Sequence, residues 1–150
     1  MAKNSSVPRG MRNNNPLNIR HSQDNWKGLC PKQTDKEFCQ FKTIFDGIRA
    51  AFLNVRTHIR QDARRHDRCT VKKEISRWAP ASENNTQRYI DFVCERACLG
   101  VNDELQVEQK NVMCRLLWAM AEYECGTKIS FAYFERAYEM AFNPACPDYL

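Results

Sequence analysis

Apolar side chains recur at intervals of three and four residues through most of the chain from residue 46 onward. This spacing places them on one face of successive α-helices. Only five glycines and six prolines occur in 150 residues, which argues against a sandwich built from many turns. The pattern predicts five helices: from Asp46 to about His66, from Thr70 to before Pro80, from the turn at residues 82–86 to Gly100, from Asp103 to Cys125, and from Ser130 to about Ala141.

Residue types at the ends of these segments support the helical interpretation. Asp46, Ser82 and Ser130 are predicted to cap helix N-termini, because a short polar side chain can accept a hydrogen bond from a free backbone N–H there. Gly126 follows the fourth segment, at the position where a left-handed residue commonly ends a helix.

The first 45 residues follow a different pattern. Residues 37–41 alternate apolar and polar side chains, which predicts a half-buried strand of a small hairpin flanked by Cys30 and Cys39. We therefore expect a mainly α fold of the α+β type, with about five helices and a small N-terminal lobe of β-hairpin and loop. No linker divides the chain, so residues 1–150 are predicted to form a single domain, with residues 1–8 as a disordered tail.

A segment rich in asparagine and arginine, residues 9–20, precedes this hairpin and is called the asparagine segment below. It holds four asparagines and three arginines. Asparagine tolerates turn conformations and offers both a donor and an acceptor, so the segment suits a loop that faces a polyhydroxylated, amide-bearing ligand such as an amino-sugar polymer. The alternative is a surface turn closed by Asn15 and Pro16.

Two glutamates occupy helix ends with opposite electrostatic character. Glu124 lies in the last turn of the fourth helix, where free carbonyl groups disfavour a carboxylate, so the sequence predicts a raised pKa that suits a general acid. Glu83 lies in the first turn of the third helix, where the helix dipole lowers the pKa and favours an ionised role. Each glutamate could instead be an ordinary solvent-facing residue at a helix end.

Charge and cysteine usage indicate little further chemistry. The net charge is +5, and its densest run, residues 60–68, mixes four arginines with two aspartates, as a solvated helix end does. Nucleic acid is therefore an unlikely partner. Eight cysteines occur without a Cys-x-x-Cys pair, so we predict no metal and no cofactor. Cys30 and Cys39 are the first pair to test for a disulfide. We find no signal segment and no membrane-inserting run, which predicts synthesis in the cytoplasm.

Several motifs resemble the phage virion-associated lysin family, in order along nearly the whole chain. They are Arg9 to Arg20, Trp26-Lys27-Gly28, Phe38 with Phe41, Asp46 to Ala50, Arg77 to Pro80, Glu83 to Thr86 with Tyr89, and Glu124 to Gly126. The resemblance implies a lysozyme-like, mainly helical fold and action on the glycan strands of peptidoglycan. Part of the pattern is also similar to lytic transglycosylases and glucosaminidases, although in that group the glutamate helix precedes the asparagine turn. Leu17 stands where the family often has glycine.

The resemblance and the residues together predict a peptidoglycan glycan-strand cleaving enzyme, similar to a lytic transglycosylase or muramidase, that acts at the cell wall or periplasm. Glu124 or Glu83 would be the general acid, with the other in support. Sugar or stem peptide would be bound by Arg12, Asn13, Asn14, Asn18 and Trp26, while Thr86 and Tyr89 would hydrogen-bond beside Glu83. The alternatives are a catalytically inactive cell-wall-binding or virion structural protein and, ranked last, a small DNA-associated protein.

Overall fold

The computed structural model describes residues 7–79 and 85–149, and helices account for most of the regular structure there. This confirms the mainly α fold. Within these two ranges the helices are α1 (Arg9–Arg12), α2 (Ile44–Arg64), α3 (Val71–Trp78), α4 (Thr86–Ala97), α5 (Lys110–Cys125) and α6 (Phe131–Phe142). The predicted helices all occur, and α1 is an additional short helix inside the asparagine segment.

The N-terminal caps of two helices are other residues than the sequence predicts, and Ser130 stands at the predicted N-cap of α6 without a side-chain capping hydrogen bond. The hydroxyl of Thr43 caps α2 by accepting from the backbone N–H of Asp46 at 3.1 Å, so Asp46 lies inside the first turn. Asn85 caps α4 by accepting from the backbone N–H of Arg88 at 3.1 Å. Ser82, the predicted cap of α4, lies outside the described residues. Both corrections have the same cause, because another short polar residue stands near the helix start.

Helix α5 begins at Lys110 rather than at Asp103. The carboxylate of Asp103 accepts a hydrogen bond from the backbone N–H of Gly100 at 2.7 Å, which stabilises a turn in place of a helix. Leu105, 1% exposed, is held in this loop by a backbone bond to Cys69 O. Because Leu105 is buried although it lies in a loop, the apolar pattern predicted that the helix begins too early in the sequence. The other end of α5 agrees with the prediction, since Gly126 is left-handed with φ 69°.

The regular strand and hairpin predicted around residues 37–41 are not observed. Within the described residues this lobe has isolated antiparallel bridges, Arg20 with Phe38 and Leu29 with Phe41, rather than a continuous ladder. Side-chain amides replace ladder bonds. Gln33 Nε2 donates to Gln40 O at 2.8 Å, and Gln40 N donates to Gln33 Oε1 at 2.8 Å. Cys30 and Cys39, the first pair that the sequence suggested for a disulfide, are both free thiols.

One cluster of buried apolar residues extends from Leu17 in the asparagine segment to Ala141 in α6. Helix α2 packs against α6, and α5 contacts both α4 and α6. This arrangement brings the C-terminal end of α5 to α1 and the asparagine segment. Within the described residues, no helix combines the length and apolarity needed to cross a bilayer.

Candidate active site

Glu124 lies next to the last residue of α5 and is held by two neutral donors from distant parts of the chain. Asn18 Nδ2 donates to Glu124 Oε1 at 3.0 Å, and the phenol of Tyr89 donates to Glu124 Oε2 at 2.9 Å. Each carboxylate oxygen thus has its own donor. Two of the residues that the sequence selected in the asparagine segment and in α4 therefore meet at the glutamate.

Burial raises the pKa of Glu124 above its ordinary value. The bonds from Asn18 and Tyr89 and the positive charge of Arg20 act in the opposite direction, because they favour the ionised form, but desolvation outweighs them. The direction agrees with the sequence prediction. Its main physical cause is burial, whereas the prediction rested on the partial charge at the helix end.

The asparagine segment is fixed against the end of α5 by close packing. The Cys125 thiol contacts Pro16 O at 3.1 Å. Gly10 sits so close to this helix end that an added Cβ would lie 2.7 Å from Cys125 Sγ and 3.1 Å from Asn18 Oδ1. Asn18 itself adopts the left-handed region with φ 53°. This backbone conformation directs the Asn18 amide toward Glu124. Asparagine tolerates the left-handed region better than most residues do.

Burial and ring stacking hold Tyr89 in place next to the carboxylate of Glu124. The side chain is 1% exposed, and its ring stacks on Tyr123 of α5 with centroids 4.1 Å apart. Burial, together with the nearby charge of Glu124, raises the pKa of Tyr89 well above its ordinary value, so the phenol keeps its proton. Tyr89 is therefore a permanent donor to Glu124, although the sequence had placed it beside Glu83.

A cleft of about 310 Å³ opens beside Asn18. It is lined by Asn18, Ile19, Arg20, His21, Ser22, Asp24, Trp26, Asn54, His58, Arg77 and Trp78. Asn18 both lines this cleft and contacts Glu124, so it connects the carboxylate to the open space. The indole of Trp78 is fixed by a hydrogen bond to Leu17 O at 2.8 Å. The indole N–H of Trp26 is buried and has no hydrogen-bond partner within residues 7–79 and 85–149.

Two of the predicted ligand-binding asparagines instead hold the loop together. Asn13 is 4% exposed, and its amide donates to Asp35 Oδ2 at 2.9 Å and accepts from Gln40 Nε2 at 3.3 Å. Asn14 Nδ2 donates to Phe41 O at 3.0 Å. Both amides are occupied by the protein itself, so we leave them out of the site.

Two further predicted residues, Thr86 and Arg12, do not line the cleft. The Thr86 hydroxyl donates to Ala79 O at 2.8 Å at the start of α4. Arg12 is exposed, and its guanidinium contacts Val7 O at 3.3 Å. Glu83 lies outside the described residues. The structure therefore brings together Glu124, Asn18 and Tyr89, with Trp26 in the adjoining cleft.

Sequence reasoning missed the α2 and α3 side of the cleft. Asn54 and His58 are four residues apart on α2 and line it together, as the helical period requires. Arg77 and Trp78 line it from the end of α3. The spacing of Asn54 and His58 could have predicted that they share one face of a helix. It could not predict that the asparagine segment packs opposite this face and forms a cleft with it. Within the described part of the chain, no three His, Cys, Asp or Glu side chains converge as a metal site would require.

The fold and this site define a mainly helical protein with a half-buried, hydrogen-bonded glutamate next to an asparagine that lines an open cleft. No family model matches the chain. It is 33% identical over 142 residues to Protein P5 of Pseudoalteromonas phage PM2, a similarity that covers 92% of this chain and 84% of the phage protein. The chain belongs to the family of that protein, and the family therefore includes a phage member.

Proposed function

We propose that this protein cleaves the glycan strands of peptidoglycan, as a lytic transglycosylase or muramidase-like enzyme of phage or mobile-element origin. The observation that carries the proposal is the environment of Glu124, which is half-buried between the neutral donors Asn18 and Tyr89, and Asn18 in turn lines a cleft. Sequence motifs similar to those of phage virion-associated lysins support it, and so does membership in a family with a phage protein.

The proposed role of Glu124 is that of general acid. Cleavage of a glycosidic bond requires a proton for the leaving oxygen, and a carboxyl whose pKa is raised keeps that proton closer to neutral pH. Asn18 and Tyr89 hold the carboxyl group in one orientation, which reduces the entropy lost on reaching the reactive geometry. Neither donor carries a charge that would force Glu124 to ionise.

The adjoining cleft suits part of an amino-sugar chain. Its volume of about 310 Å³ is near the lower end of ligand pockets, which is about 300–1,000 Å³. Trp26 and Trp78 offer flat apolar surface for a sugar ring, and Asn18 and Asn54 offer amide donors and acceptors for hydroxyl and acetamido groups. The longer glycan would continue along the open surface on either side.

A single acid favours the transglycosylase route. In that route a hydroxyl group of the substrate attacks the anomeric carbon and closes an anhydro ring, so no second carboxylate is required. In hydrolysis, water attacks and a reducing end appears; a second carboxylate then acts at roughly 5 Å as a nucleophile or at roughly 6.5–9.5 Å as a base. The ends of the products therefore distinguish the two routes.

Purified Pseudoalteromonas sacculi provide the test. The full-length protein should release soluble glycan fragments, and mass spectrometry should find anhydro ends if the transglycosylase route operates. Binding to sacculi without release of fragments would contradict the proposal and favour the alternative, a catalytically inactive cell-wall-binding or virion structural protein. Neither binding nor release would contradict both.

A further inference from the structure

The α2 side of the cleft carries a histidine that is oriented by a buried carboxylate. His58 Nδ1 lies 2.7 Å from Glu74 Oε2. The His58 side chain is 25% exposed and lines the cleft, whereas the Glu74 side chain is 0% exposed. A carboxylate behind an imidazole fixes the ring orientation and selects the tautomer with hydrogen on the bonded nitrogen.

The carboxylate behind His58 belongs to a cluster of ion pairs between α2 and α3. Two buried carboxylates, Asp62 and Glu74, face two cations. Arg77 pairs with Asp62 and lies 3.5 Å from Glu74, while Lys73 lies 3.3 Å from Asp62. In the tautomer with hydrogen on Nδ1, the imidazole donates to Glu74 Oε2 and its Nε2 carries a lone pair.

Within the described residues, Nε2 of His58 makes no hydrogen bond to the protein. The ring shares its cleft with Asn18, which contacts Glu124, and with the indoles of Trp26 and Trp78. Arg77 approaches the other carboxylate oxygen of Glu74, Oε1, at 3.5 Å, so the contact with Oε2 comes from His58 Nδ1 and leaves Nε2 available. An acceptor that is oriented from behind and unoccupied in front is the arrangement expected of a ligand-binding group.

We infer that His58 is a substrate-binding residue of this cleft, whose Nε2 accepts a hydrogen bond from a hydroxyl or acetamido N–H of an amino sugar, with Glu74 as the positioning residue. The inference rests on the proposed function, because that function supplies the sugar. It adds a specific contact on the α2 side of the cleft.

Nitrogen-15 NMR of the histidine side chains tests the inference directly. The Glu124→Gln variant serves as the background, so that peptide-free peptidoglycan oligosaccharides stay intact during the measurement. Without ligand, the ring of His58 should show hydrogen on Nδ1 and a lone pair on Nε2, and Glu74→Gln should weaken this tautomer preference. Addition of the oligosaccharide should shift the Nε2 signal of His58 but leave that of His66, which lies outside the cleft, unchanged.

A variant separates the contact from the structural role of the ring. His58→Asn keeps an amide donor near the position of Nδ1 for Glu74 and removes the Nε2 acceptor, so its oligosaccharide affinity should fall by about fivefold. His66→Asn is the matched control and should leave the affinity unchanged.

Two outcomes would contradict the inference, and only one of them would also contradict the proposed function. Oligosaccharide binding, seen by tryptophan fluorescence, with no shift at His58 and no loss of affinity in His58→Asn would overturn this inference and leave the proposed function intact. Absence of any oligosaccharide binding by a folded protein would overturn both.

Discussion

Glu124 is half-buried and Asp62 is fully buried, and their partners give the two carboxyl groups opposite chemistry. Glu124 is held by an amide and a phenol, and burial raises its pKa. Asp62, 1% exposed, is paired with the guanidinium of Arg77 and with Lys73, and these partners lower its pKa to about 2. The charge of the partners, more than burial alone, thus decides in which direction the pKa of each carboxyl group moves.

The two regions also differ in how they contribute to stability. The cluster of Asp62, Glu74, Lys73 and Arg77 joins α2 to α3 through ion pairs, and Glu74 also holds the ring of His58. The Glu124 site joins α5 to α4 and to the asparagine segment through neutral hydrogen bonds. Changes in the first region should therefore alter stability most, and changes in the second should alter activity and its pH dependence.

The largest expected effect is on activity. Glu124→Gln keeps the size of the side chain and removes the acidic proton, so fragment release from sacculi should fall by about 10²–10⁴-fold. Glu122→Gln is the matched control, because Glu122 lies on the same helix and pairs with Arg96 at 2.9 Å. It should retain nearly full activity. Equal activity in the two variants would show that Glu124 does not donate the proton.

The largest effect on stability is expected at Arg77. Arg77→Met leaves Asp62 and Glu74 buried without their shared cation, which should lower the free energy of unfolding by about 3–5 kcal/mol. Urea denaturation measures this change. Arg68→Met, which breaks the exposed pair of Arg68 with Glu104, should cost at most about 1 kcal/mol. Similar losses in the two variants would contradict the structural role of the buried cluster.

These contrasts were only partly accessible from the sequence. Periodicity located the helices because each buries one apolar face, and Gly126 correctly marked the end of α5. The four asparagines of residues 9–20 have similar local signals, yet Asn15 is buried with its amide bonded to Ile19 O and Cys39 O, while Asn18 reaches Glu124. Contacts between residues this far apart in the chain depend on packing, which no local pattern specifies.

A smaller loss of stability is expected where the asparagine segment meets α2. A Cβ on Gly47 would overlap the carbonyl oxygen of Asn14, so Gly47→Ala should lower the free energy of unfolding by about 1–3 kcal/mol. Because the displaced segment carries Asn18, fragment release should fall as well. Denaturation and sacculus assays together measure both effects.

Gly126→Asn provides the control for Gly47→Ala. Position 126 is left-handed, and no described atom lies within 4 Å of a Cβ added there. Asparagine tolerates this conformation, so the loss should be less than about 1 kcal/mol. A stable and fully active Gly47→Ala protein would contradict the docking of the asparagine segment on α2.

The smallest expected effect is a shift in the pH dependence of activity. The Tyr89 hydroxyl favours ionised Glu124, so its removal in Tyr89→Phe should raise the pKa of Glu124 further. A general acid works only when protonated, and the alkaline limb of the activity profile should therefore move up by about one pH unit. Tyr123→Phe keeps the stacked pair of rings and should leave this limb in place. A downward shift in Tyr89→Phe would contradict the assigned hydrogen bond.

Direct titration of the two contrasted carboxyl groups is the most direct test of the account. Carbon-13 NMR of labelled Glu and Asp side chains, assigned with Glu124→Gln and Asp62→Asn, reports both pKa values in one protein. We predict that Glu124 titrates above the ordinary glutamate value of about 4.3 and that Asp62 titrates near 2. A pKa of Glu124 at or below the ordinary value would contradict its role as the proton donor.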